Sequence, residues 1–593
     1  MNSLDGFQLY NFFKAGYFRV YAARQYIDRI NVFPVPDGDT GTNLSFTLSG
    51  ALDATVPASS AATTLSILAD AALLSARGNS GVIFAQFLSG LSEAVETSEI
   101  HAHEFAYSVN RAYLRAREAV TDPKDGTILT VIEAWALALA RLSPHTSSIT
   151  ELIGSTRDDL KRSLGETTGK LAALQAAGVV DAGAAGFVEF VEGGHDYLLN
   201  GAATMRQMPS EAQISFEHSH ESADAEAPTE RPSLRYCVEA IIAAEGIDHG
   251  KVRNSIADLG DCLIVAGGHS RVKIHIHCDK PSAVMDALSA FGAVTGQKAD
   301  DMYLQYADAH ERRARTAIVT DSSCDLSPEL LDLHHIHAVP LLLLAGGSEF
   351  LDKVTMNAEQ LRRHSENSAA FPRSSQPPSP FFARLFANLT DYYDGILAIH
   401  LSSAMSGTFA ASAREAEKCG GLVSAYDSRQ LSGSLGLIVL RAALAAESGA
   451  AREEILALLP EWSAKARILV SVPSLRYMVK GGRVSPLKGF LASALNLKPI
   501  VSVDSTGKSI LYGKAFSEKA NLKKIKRMVL EDMARRTLKY YAVGHSGAPA
   551  KAAVFAKELE EAIGFPPLYV EEISAVVALN SGPGAISVVT MAE

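Results

Sequence analysis

The spacing of apolar residues changes character along this chain of 593 residues. In residues 1–206 apolar side chains recur at helical spacing, as Phe13, Tyr17, Val20 and Ile27 do. Ala/Leu-rich stretches with the same periodicity follow them. The pattern predicts that the first third of the chain is all-helical.

The helical pattern ends in residues 207–233, where a polar stretch takes over. Between Glu217 and Arg231 there are acids, histidines and serines but almost no apolar residue, which predicts a flexible linker. Beyond it, Val272–His277 alternates strictly between apolar and polar residues, as a β-strand with two different faces does. We therefore expect a small α/β region over residues 234–310.

Residues 314–593 have a third pattern, in which short apolar runs alternate with helical segments. The runs that start at Thr316 and Gly395 each lead into a turn rich in hydroxyl groups. Strands that alternate with helices predict α/β layers, and ligands of such folds lie beyond the carboxyl ends of the strands. The sequence thus predicts a multidomain protein, helical first and α/β afterwards.

Composition narrows the class of protein. The chain is 47% hydrophobic and 20% charged, as globular proteins are, and its net charge of −11 argues against a nucleic-acid partner. Five cysteines without a regular framework indicate a reducing compartment. The N-terminus lacks the features of a signal peptide, and no apolar run approaches the ~18–20 residues of a membrane span. We expect a cytoplasmic protein without a transmembrane segment.

The most informative motif is Asp37-Gly-Asp-Thr-Gly-Thr-Asn43. Mg²⁺ in proteins is commonly held by one or two carboxylates together with substrate phosphates, and Asp37 and Asp39 supply two carboxylates. Gly38 and Gly41 let the backbone approach a phosphate and donate its N–H groups. The segment indicates a metal and nucleotide site, and the alternative is an ordinary Asp/Gly turn.

Two later motifs favour the nucleotide interpretation. Ala76-Arg-Gly-Asn-Ser-Gly81 precedes a helical pattern, and N–H groups at a helix start suit a phosphate. Gly178–Gly186 is a turn of small residues with one carboxylate, Asp181. Each motif taken alone is typical of a structural turn, so the prediction depends on their combination.

Together and in this order, the three motifs resemble the nucleotide-binding L domain of dihydroxyacetone kinase and, more closely, the ATP-binding component of bacterial fatty acid kinases. The resemblance covers about residues 1–200. It implies an all-helical barrel whose acidic end binds Mg²⁺ and the phosphates of ATP, with Asp37 and Asp39 as metal ligands. Where the dihydroxyacetone kinase form has a third carboxylate, this chain offers Asn31, which leaves the number of Mg²⁺ ions open. The nucleotide ligands implied are Thr40, Gly41, Thr42, Asn43, Gly78, Asn79 and Ser80.

His275 and His277 point to the same face of the predicted strand and could share one metal ion. Cys237 is a candidate third ligand, and the alternative is an exposed strand face with two surface histidines. Residues 234–310 resemble the middle domain of the same ATP-binding kinase component. That resemblance implies a Zn²⁺ site formed by Cys237, His275 and His277.

The last 280 residues contain TDSSCDL, SSQPP, HLSSAMSGT, KGGRVS, LKPI and SGPGA. Their order resembles the DegV-type fatty-acid-binding proteins, which implies a two-lobed α/β fold that encloses one fatty acid. Ser374, Ser375 and Ser403 would hold the carboxylate, and Arg483 would have a structural or docking use. Asn580 stands where the family commonly has histidine, and asparagine cannot carry the positive charge.

We therefore predict a fatty acid kinase with both functions on one polypeptide, converting ATP and a fatty acid to acyl phosphate and ADP. Asp37, Asp39, Ser375 and Ser403 are the predicted catalytic residues. The product would pass to a downstream acyltransferase, and the oligomeric state, a homodimer included, stays open. Two alternatives remain: a dihydroxyacetone-kinase-like enzyme acting on a small molecule, and a non-catalytic lipid-binding or lipid-sensing protein.

Overall fold

A computed structural model of the chain describes residues 1–34, 38–201, 231–267, 271–367, 370–482 and 497–593. Asp37, Arg483 and the predicted linker up to residue 230 lie outside the described residues. The chain divides into two compact units. The first comprises Met1–Asp279, Ala287–Gly292 and Lys298–Tyr306, and the second comprises Lys280–Asp286, Ala293–Gln297 and Ala307–Glu593.

The first 200 residues are helical, as the apolar spacing predicts. The helices are α1 Gly6–Arg29, α2 Thr40–Asp53, α3 Ala61–Ser75, α4 Gly78–Ala94, α5 Ala102–Ala119, α6 Ile128–Leu142, α7 Ile149–Ser155, α8 Arg157–Thr167, α9 Ala172–Ala177 and α10 Ala182–Asn200. A short 3₁₀ turn covers Ser143–His145, and a two-residue antiparallel pair joins β1 (Ser3–Leu4) to β2 (Ile100–His101).

The long helices close into a ring. Helix α1 packs on α2, α2 on α4, α4 on α5, α5 on α6, and α6 on α10, which returns to α1. Aromatic side chains fill the interior, where Phe84 meets Phe190 edge-to-face with ring centroids 4.8 Å apart. Trp135 is buried beside Phe187, and its Nε1 donates to Thr156 Oγ1 at 3.0 Å. The predicted all-α barrel is confirmed.

The middle region is a four-stranded sheet with three helices. Its strands are β3 Tyr236–Ala243, β4 Asp261–Gly267, β5 Arg271–Cys278 and β6 Ala293–Asp301, arranged in the order β4-β5-β3-β6. Its helices are α11 His249–Ile256, α12 Pro281–Leu288 and α13 Met302–His310, with a 3₁₀ turn at Ala257–Leu259. Ile264 and Ala266 of β4 join the apolar core of the helical region, so these two regions share one core.

The second unit is α/β. Its strands are β7 Thr316–Asp321, β8 His337–Val339, β9 Leu342–Ala345, β10 Ser348–Leu351, β11 Arg373–Ser375, β12 Gly395–His400, β13 Val423–Asp427, β14 Ala466–Ser471, β15 Lys498–Val503, β16 Ser509–Ala515, β17 Leu538–His545, β18 Val570–Glu572 and β19 Ile586–Ala592. Its helices are α14 Pro328–Leu333, α15 Ala358–Asn367, α16 Ser379–Thr390, α17 Thr408–Ala416, α18 Ser432–Glu447, α19 Arg452–Lys465, α20 Arg476–Lys480, α21 Glu518–Met533, α22 Pro549–Ile563 and α23 Ala575–Ser581.

Two larger sheets organise this unit, in agreement with the predicted two-lobed α/β fold. One is parallel, in the order β13-β12-β7-β8, and the other has six strands in the order β16-β15-β14-β19-β17-β18. Strands β7 and β12 are neighbours, so the hydroxyl-rich turns after their carboxyl ends lie side by side. A small sheet, β10-β9-β11, carries Ser374 and Ser375. Among the described residues, no helix is both long and apolar enough to cross a membrane.

Close approach of α10 to α1 generates a stability prediction. A Cβ at Gly193 would lie 2.5 Å from the Ala15 carbonyl oxygen, whereas a Cβ at Gly165 in α8 would meet nothing within 4 Å. Gly193→Ala should therefore lower the free energy of unfolding by about 1–3 kcal/mol through overpacking. Gly165→Ala should raise it by about 0.5–1 kcal/mol. Urea unfolding followed by circular dichroism measures both, and equal stabilities of the two variants would contradict this packing.

Candidate functional site

The three motifs of the helical region meet at one end of the barrel. A Cβ at Gly78 would lie 2.5 Å from Asn43 Nδ2, so the start of α4 touches the first turn of α2. A Cβ at Gly183 would lie 2.9 Å from Ser80 Oγ, so the start of α10 touches the start of α4. Helix N-termini carry partial positive charge and exposed N–H donors. Their convergence makes this end of the barrel suited to anions.

A carboxylate that the sequence reasoning missed, Asp28, holds the start of α2. Asp28 Oδ1 accepts hydrogen bonds from the N–H groups of Gly41 at 2.6 Å and Thr42 at 3.0 Å. Its Oδ2 accepts from Thr42 Oγ1 at 2.8 Å. The pKa of Asp28 is raised to about 6, chiefly by burial. The nearby charge of Asp39 acts in the same direction, whereas the hydrogen bonds from Thr42 oppose the increase.

Two consequences follow for the predicted nucleotide and metal ligands. Gly41 and Thr42 donate to Asp28 rather than facing outward as phosphate donors. Asp39, the half-buried residue just before α2, lies close enough to Asp28 to affect its ionisation. Asp28 could have been found from the sequence, because an acid in the last turn of a helix is unfavourable in the field of the helix dipole. Such a residue is expected to have a nearby partner that stabilises it.

A second buried carboxylate, Asp181, holds the starts of α10 and α6. Asp181 Oδ1 accepts from the Ala184 N–H at 2.7 Å, and the carboxylate also accepts from the Ile128 N–H. Burial raises the pKa of Asp181 to about 7 despite these hydrogen bonds. Of the other predicted nucleotide ligands, Thr40 is buried at the start of α2, and Asn79 Oδ1 is buried without a hydrogen-bond partner.

The start of α4 is held by Glu239, a residue of the middle region. Glu239 Oε1 accepts from the Gly78 N–H at 2.9 Å, so this predicted phosphate donor also points at a carboxylate of the chain. Lys273 Nζ lies 3.1 Å from Glu239 Oε2 and donates to the Ala76 carbonyl oxygen. Burial alone would raise the pKa of Glu239, but the Lys273 ammonium and His275 hold that pKa well below its usual range.

The structure brings together the three predicted zinc ligands. One ligand atom from each of Cys237, His275 and His277 lies within 4.8 Å of the others, and both histidines are buried. Both ring nitrogens of His275 are buried without a hydrogen-bond partner. Burial and then the neighbouring His275 lower the pKa of His277 to about 3, so its imidazole is neutral and able to bind metal. Thiolate and imidazole are ligands that suit Zn²⁺.

A second, partly exposed group shares His277. One ligand atom from each of Asp261, Cys262 and His277 lies within 4.8 Å of the others. The sequence reasoning did not consider Asp261 and Cys262, because they lie on β4 and only the sheet register places them beside β5. Asp261 Oδ1 is 3.7 Å from His277 Nδ1, where a carboxylate can orient a ligating histidine.

The second unit contains a largely apolar cavity. Leucine, isoleucine, valine and methionine side chains line it, with hydroxyl groups between them, as is typical of a site for a long apolar ligand with one polar end. The polar side chains that line it are Ser323, Ser374, Ser375, Ser406, Ser432, Ser502, Ser509, Asn580, Ser581 and Ser587. Ser374, Ser375 and Asn580, three of the predicted substrate ligands, are among these lining residues.

Ser403 does not reach this cavity. It is exposed, and its hydroxyl donates to Asp427 Oδ2 at 2.5 Å while its N–H donates to Oδ1 at 3.1 Å. Ser406, three residues further along the same turn, lines the cavity instead. In this structure the Ser403 side chain turns outward to Asp427, a contact that the local motif does not reveal, and its assignment as a carboxylate ligand stays a prediction.

One hydrogen bond orients the amide of Asn580. Its Nδ2 donates to the Val576 carbonyl oxygen at 2.9 Å, which fixes the orientation of the amide. Its Oδ1 is buried without a hydrogen-bond partner. Asn580 therefore keeps one further amide N–H as a donor, but an amide carries no positive charge with which to hold a carboxylate.

Three family models match successive parts of the chain. The DAK2 domain matches residues 34–196, the FakA-like middle domain of fatty acid kinases matches residues 233–309, and the DegV family matches residues 315–593. The chain therefore contains a region similar to the DAK2 domain, a region similar to the FakA-like middle domain and a region similar to the DegV family. The predicted resemblance is confirmed, and the three parts are called the DAK2, middle and DegV regions below.

Individual relatives match parts of the chain. The protein YloV of Bacillus subtilis is 32% identical over 326 residues, which are 54% of this chain and 59% of that protein. A DegV domain-containing protein of Staphylococcus aureus, SA1258, is 28% identical over 46% of this chain and 98% of its own length. The chain thus spans little more than half the length of YloV.

Solved structures match the DegV region. One, described as showing fatty acid binding of a DegV family protein from Thermus thermophilus, has 29% sequence identity and a TM-score of 0.45. It covers 47% of this chain and 100% of that chain. DegV of Bacillus subtilis, described as a fatty acid binding protein, has 26% identity and a TM-score of 0.44, with 47% and 100% coverage.

The Cys237/His275/His277 cluster generates a metal prediction. Purified protein should contain about one zinc per chain, because thiolate and imidazole are the ligands that Zn²⁺ prefers. A His275→Ala/His277→Ala variant should contain none by elemental analysis. His249→Ala, a change in the same region outside the cluster, should keep the full amount. If wild-type protein that was never exposed to a chelator contains no zinc, the cluster is an ordinary packing contact.

Proposed function

We propose that the protein is a fatty acid kinase, which transfers the γ-phosphate of ATP to the carboxylate of a bound fatty acid and forms acyl phosphate and ADP. The main support for this proposal is that the starts of α2, α4 and α10 converge beside Asp28 and Asp39. The apolar cavity of the DegV region and the match of the middle region to the FakA-like middle domain of fatty acid kinases support the choice of acceptor.

Phosphoryl transfer requires positioning and charge neutralisation more than covalent help from the protein. Asp39, with the predicted ligand Asp37 two residues earlier, would hold Mg²⁺ beside the phosphates, and Asp28 would keep the loop in place. When bound, Mg²⁺ neutralises charge on the transferred group. Asn43, Ser80 and the helix N-termini would contact the phosphate oxygens. The acyl carboxylate is ionised at neutral pH, so the reaction needs no general base.

In the DegV region the two ends of the ligand have different roles. Burying the acyl chain contributes about 0.8 kcal/mol per CH₂, so the apolar walls should supply most of the affinity. The hydroxyl groups of Ser374, Ser375 and Ser406 would then fix the carboxylate by donating hydrogen bonds. An acyl phosphate is an activated acyl group, which suits a downstream acyltransferase as the next enzyme.

One specific observation favours a second candidate, a lipid-binding protein that does not use ATP. The N–H groups of Gly41, Thr42 and Gly78, which the sequence assigns to the nucleotide, donate to Asp28 and Glu239. A small-molecule kinase of the dihydroxyacetone type has less support, because a ketose would not require the apolar cavity.

One paired experiment separates these functions. Mass spectrometry of the ligand that copurifies with the full chain should identify a fatty acid. The same protein should hydrolyse or transfer the γ-phosphate of ATP only when fatty acid is present. Bound fatty acid without any ATP turnover would support the lipid-binding candidate, and ATP turnover with a ketose but no bound lipid would support the small-molecule kinase.

Asp39 generates the first prediction about activity. Asp39→Asn should reduce phosphoryl transfer by about 10²-fold or more, since it removes a carboxylate from the proposed Mg²⁺ site. Asp53→Asn, at the other end of α2, should leave transfer near the wild-type rate. Transfer is measured with labelled ATP at saturating Mg²⁺, after circular dichroism shows that both variants are folded. A fully active Asp39→Asn protein would exclude this residue from the metal site.

The cavity serines generate the second prediction about activity. Ser375→Ala and Ser406→Ala should still copurify with fatty acid, because the apolar walls are intact, but should transfer phosphate at least about tenfold more slowly. Ser403→Ala should have a smaller effect than Ser406→Ala, because only Ser406 lines the cavity. A larger effect of Ser403→Ala than of Ser406→Ala would support the assignment of Ser403 that the sequence motif predicts.

A further inference from the structure

One face of the middle sheet carries polar side chains that alternate with buried apolar ones. The strand register places Cys237 opposite His277 and Glu239 opposite His275, and Lys273 lies two residues before His275 on the same face. The proposed metal ligands and the Glu239–Lys273 ion pair are therefore neighbours on one surface.

This surface is buried against the start of α4. Glu239 and Lys273 are each 4% exposed, and His275 is 1% exposed. Glu239 accepts from the Gly78 N–H at 2.9 Å, and Lys273 donates to the carbonyl oxygen of Ala76. The ion pair thus holds the chain on both sides of Arg77. Gly78 has a φ of +59°, a left-handed conformation that the turn must maintain to place Gly78 against Asn43.

His275 connects this contact to the metal cluster. Its Nδ1 lies 3.7 Å from Glu239 Oε1, so a small change in the ring or the carboxylate would bring the two within hydrogen-bond distance, and one of its ring nitrogens belongs to the Cys237/His275/His277 cluster. Ligating histidines commonly donate their other ring N–H to a carboxylate, and this second contact fixes both groups. A metal ion on His275 would therefore orient its ring toward Glu239, and Glu239 in turn caps Gly78.

We propose that Glu239 and Lys273 are positioning residues that couple metal occupancy of the Cys237/His275/His277 cluster to nucleotide binding at the Gly78–Ser80 turn. The inference rests on the proposed nucleotide site. Without metal, no ligand bond fixes the orientation of the buried His275 ring toward Glu239, the cap on Gly78 is held less firmly, and a nucleotide binds more weakly. Glu239 and Lys273 are almost completely buried. This burial favours a Glu239 carboxylate that stays fixed on the Gly78 N–H over a mobile carboxylate that competes with phosphate for that N–H.

The test measures affinity for a fluorescent ATP analogue in the full chain at constant Mg²⁺. In wild-type protein, a zinc-selective chelator should weaken binding about tenfold, and added zinc should restore it. Glu239→Gln should keep its zinc but bind the analogue weakly with or without zinc. Glu245→Gln, an exposed change just after β3, should behave like wild type.

A second variant keeps the test independent of folding. Glu239→Gln can leave Lys273 buried without a counter-charge, whereas Glu239→Gln/Lys273→Met removes both charges and should fold with a thermal midpoint near that of wild type. This double variant should still lack zinc-dependent nucleotide binding. Wild-type affinity that does not change when zinc is removed, or a zinc effect that persists in the double variant, would overturn the coupling while the nucleotide site stands. Absence of nucleotide binding in every protein would overturn both proposals.

Discussion

Buried carboxylates satisfy the first N–H groups of the barrel helices, and the geometry of the proposed nucleotide site depends on them. Asp28 holds the start of α2, Glu239 holds the start of α4, and Asp181 holds the starts of α10 and α6. The first N–H groups of a helix have no partner within the helix, and a side-chain cap contributes about 0.5–2 kcal/mol. Because these acids come from different parts of the chain, each cap also fixes the position of one element against another.

The two units have complementary chemistry. The first concentrates helix N-termini, acidic side chains and a Cys/His/His cluster, which suits phosphate and metal ions. The second offers apolar walls with serine hydroxyl groups between them, which suits a long-chain acid. A kinase whose acceptor is a fatty acid requires both kinds of site, since water-soluble phosphate and an insoluble acyl chain cannot be bound by the same surface.

Features of the fold that depend on the local pattern of residues could be predicted from the sequence. Helical spacing, strict alternation in β5 and the order of the motifs suffice for the barrel, the sheet and the two-lobed DegV region. The alternation also places His275 and His277 on one face. Contacts between distant segments were not predictable, because nothing near Gly78 indicates that Glu239, 161 residues away, will cap it. For the same reason the motif around Ser403 does not reveal that its hydroxyl donates to Asp427, since only the fold shows this contact.

Trapping of the product with hydroxylamine tests the central claim most directly. Hydroxylamine converts an acyl phosphate to a hydroxamate, which mass spectrometry identifies by its acyl chain. Protein incubated with ATP, Mg²⁺ and the fatty acid that copurifies with it should yield the corresponding fatty acyl hydroxamate, and omission of ATP should abolish the product. ADP formation without any hydroxamate, or no reaction with a protein that demonstrably binds both ligands, would contradict the account of a fatty acid kinase.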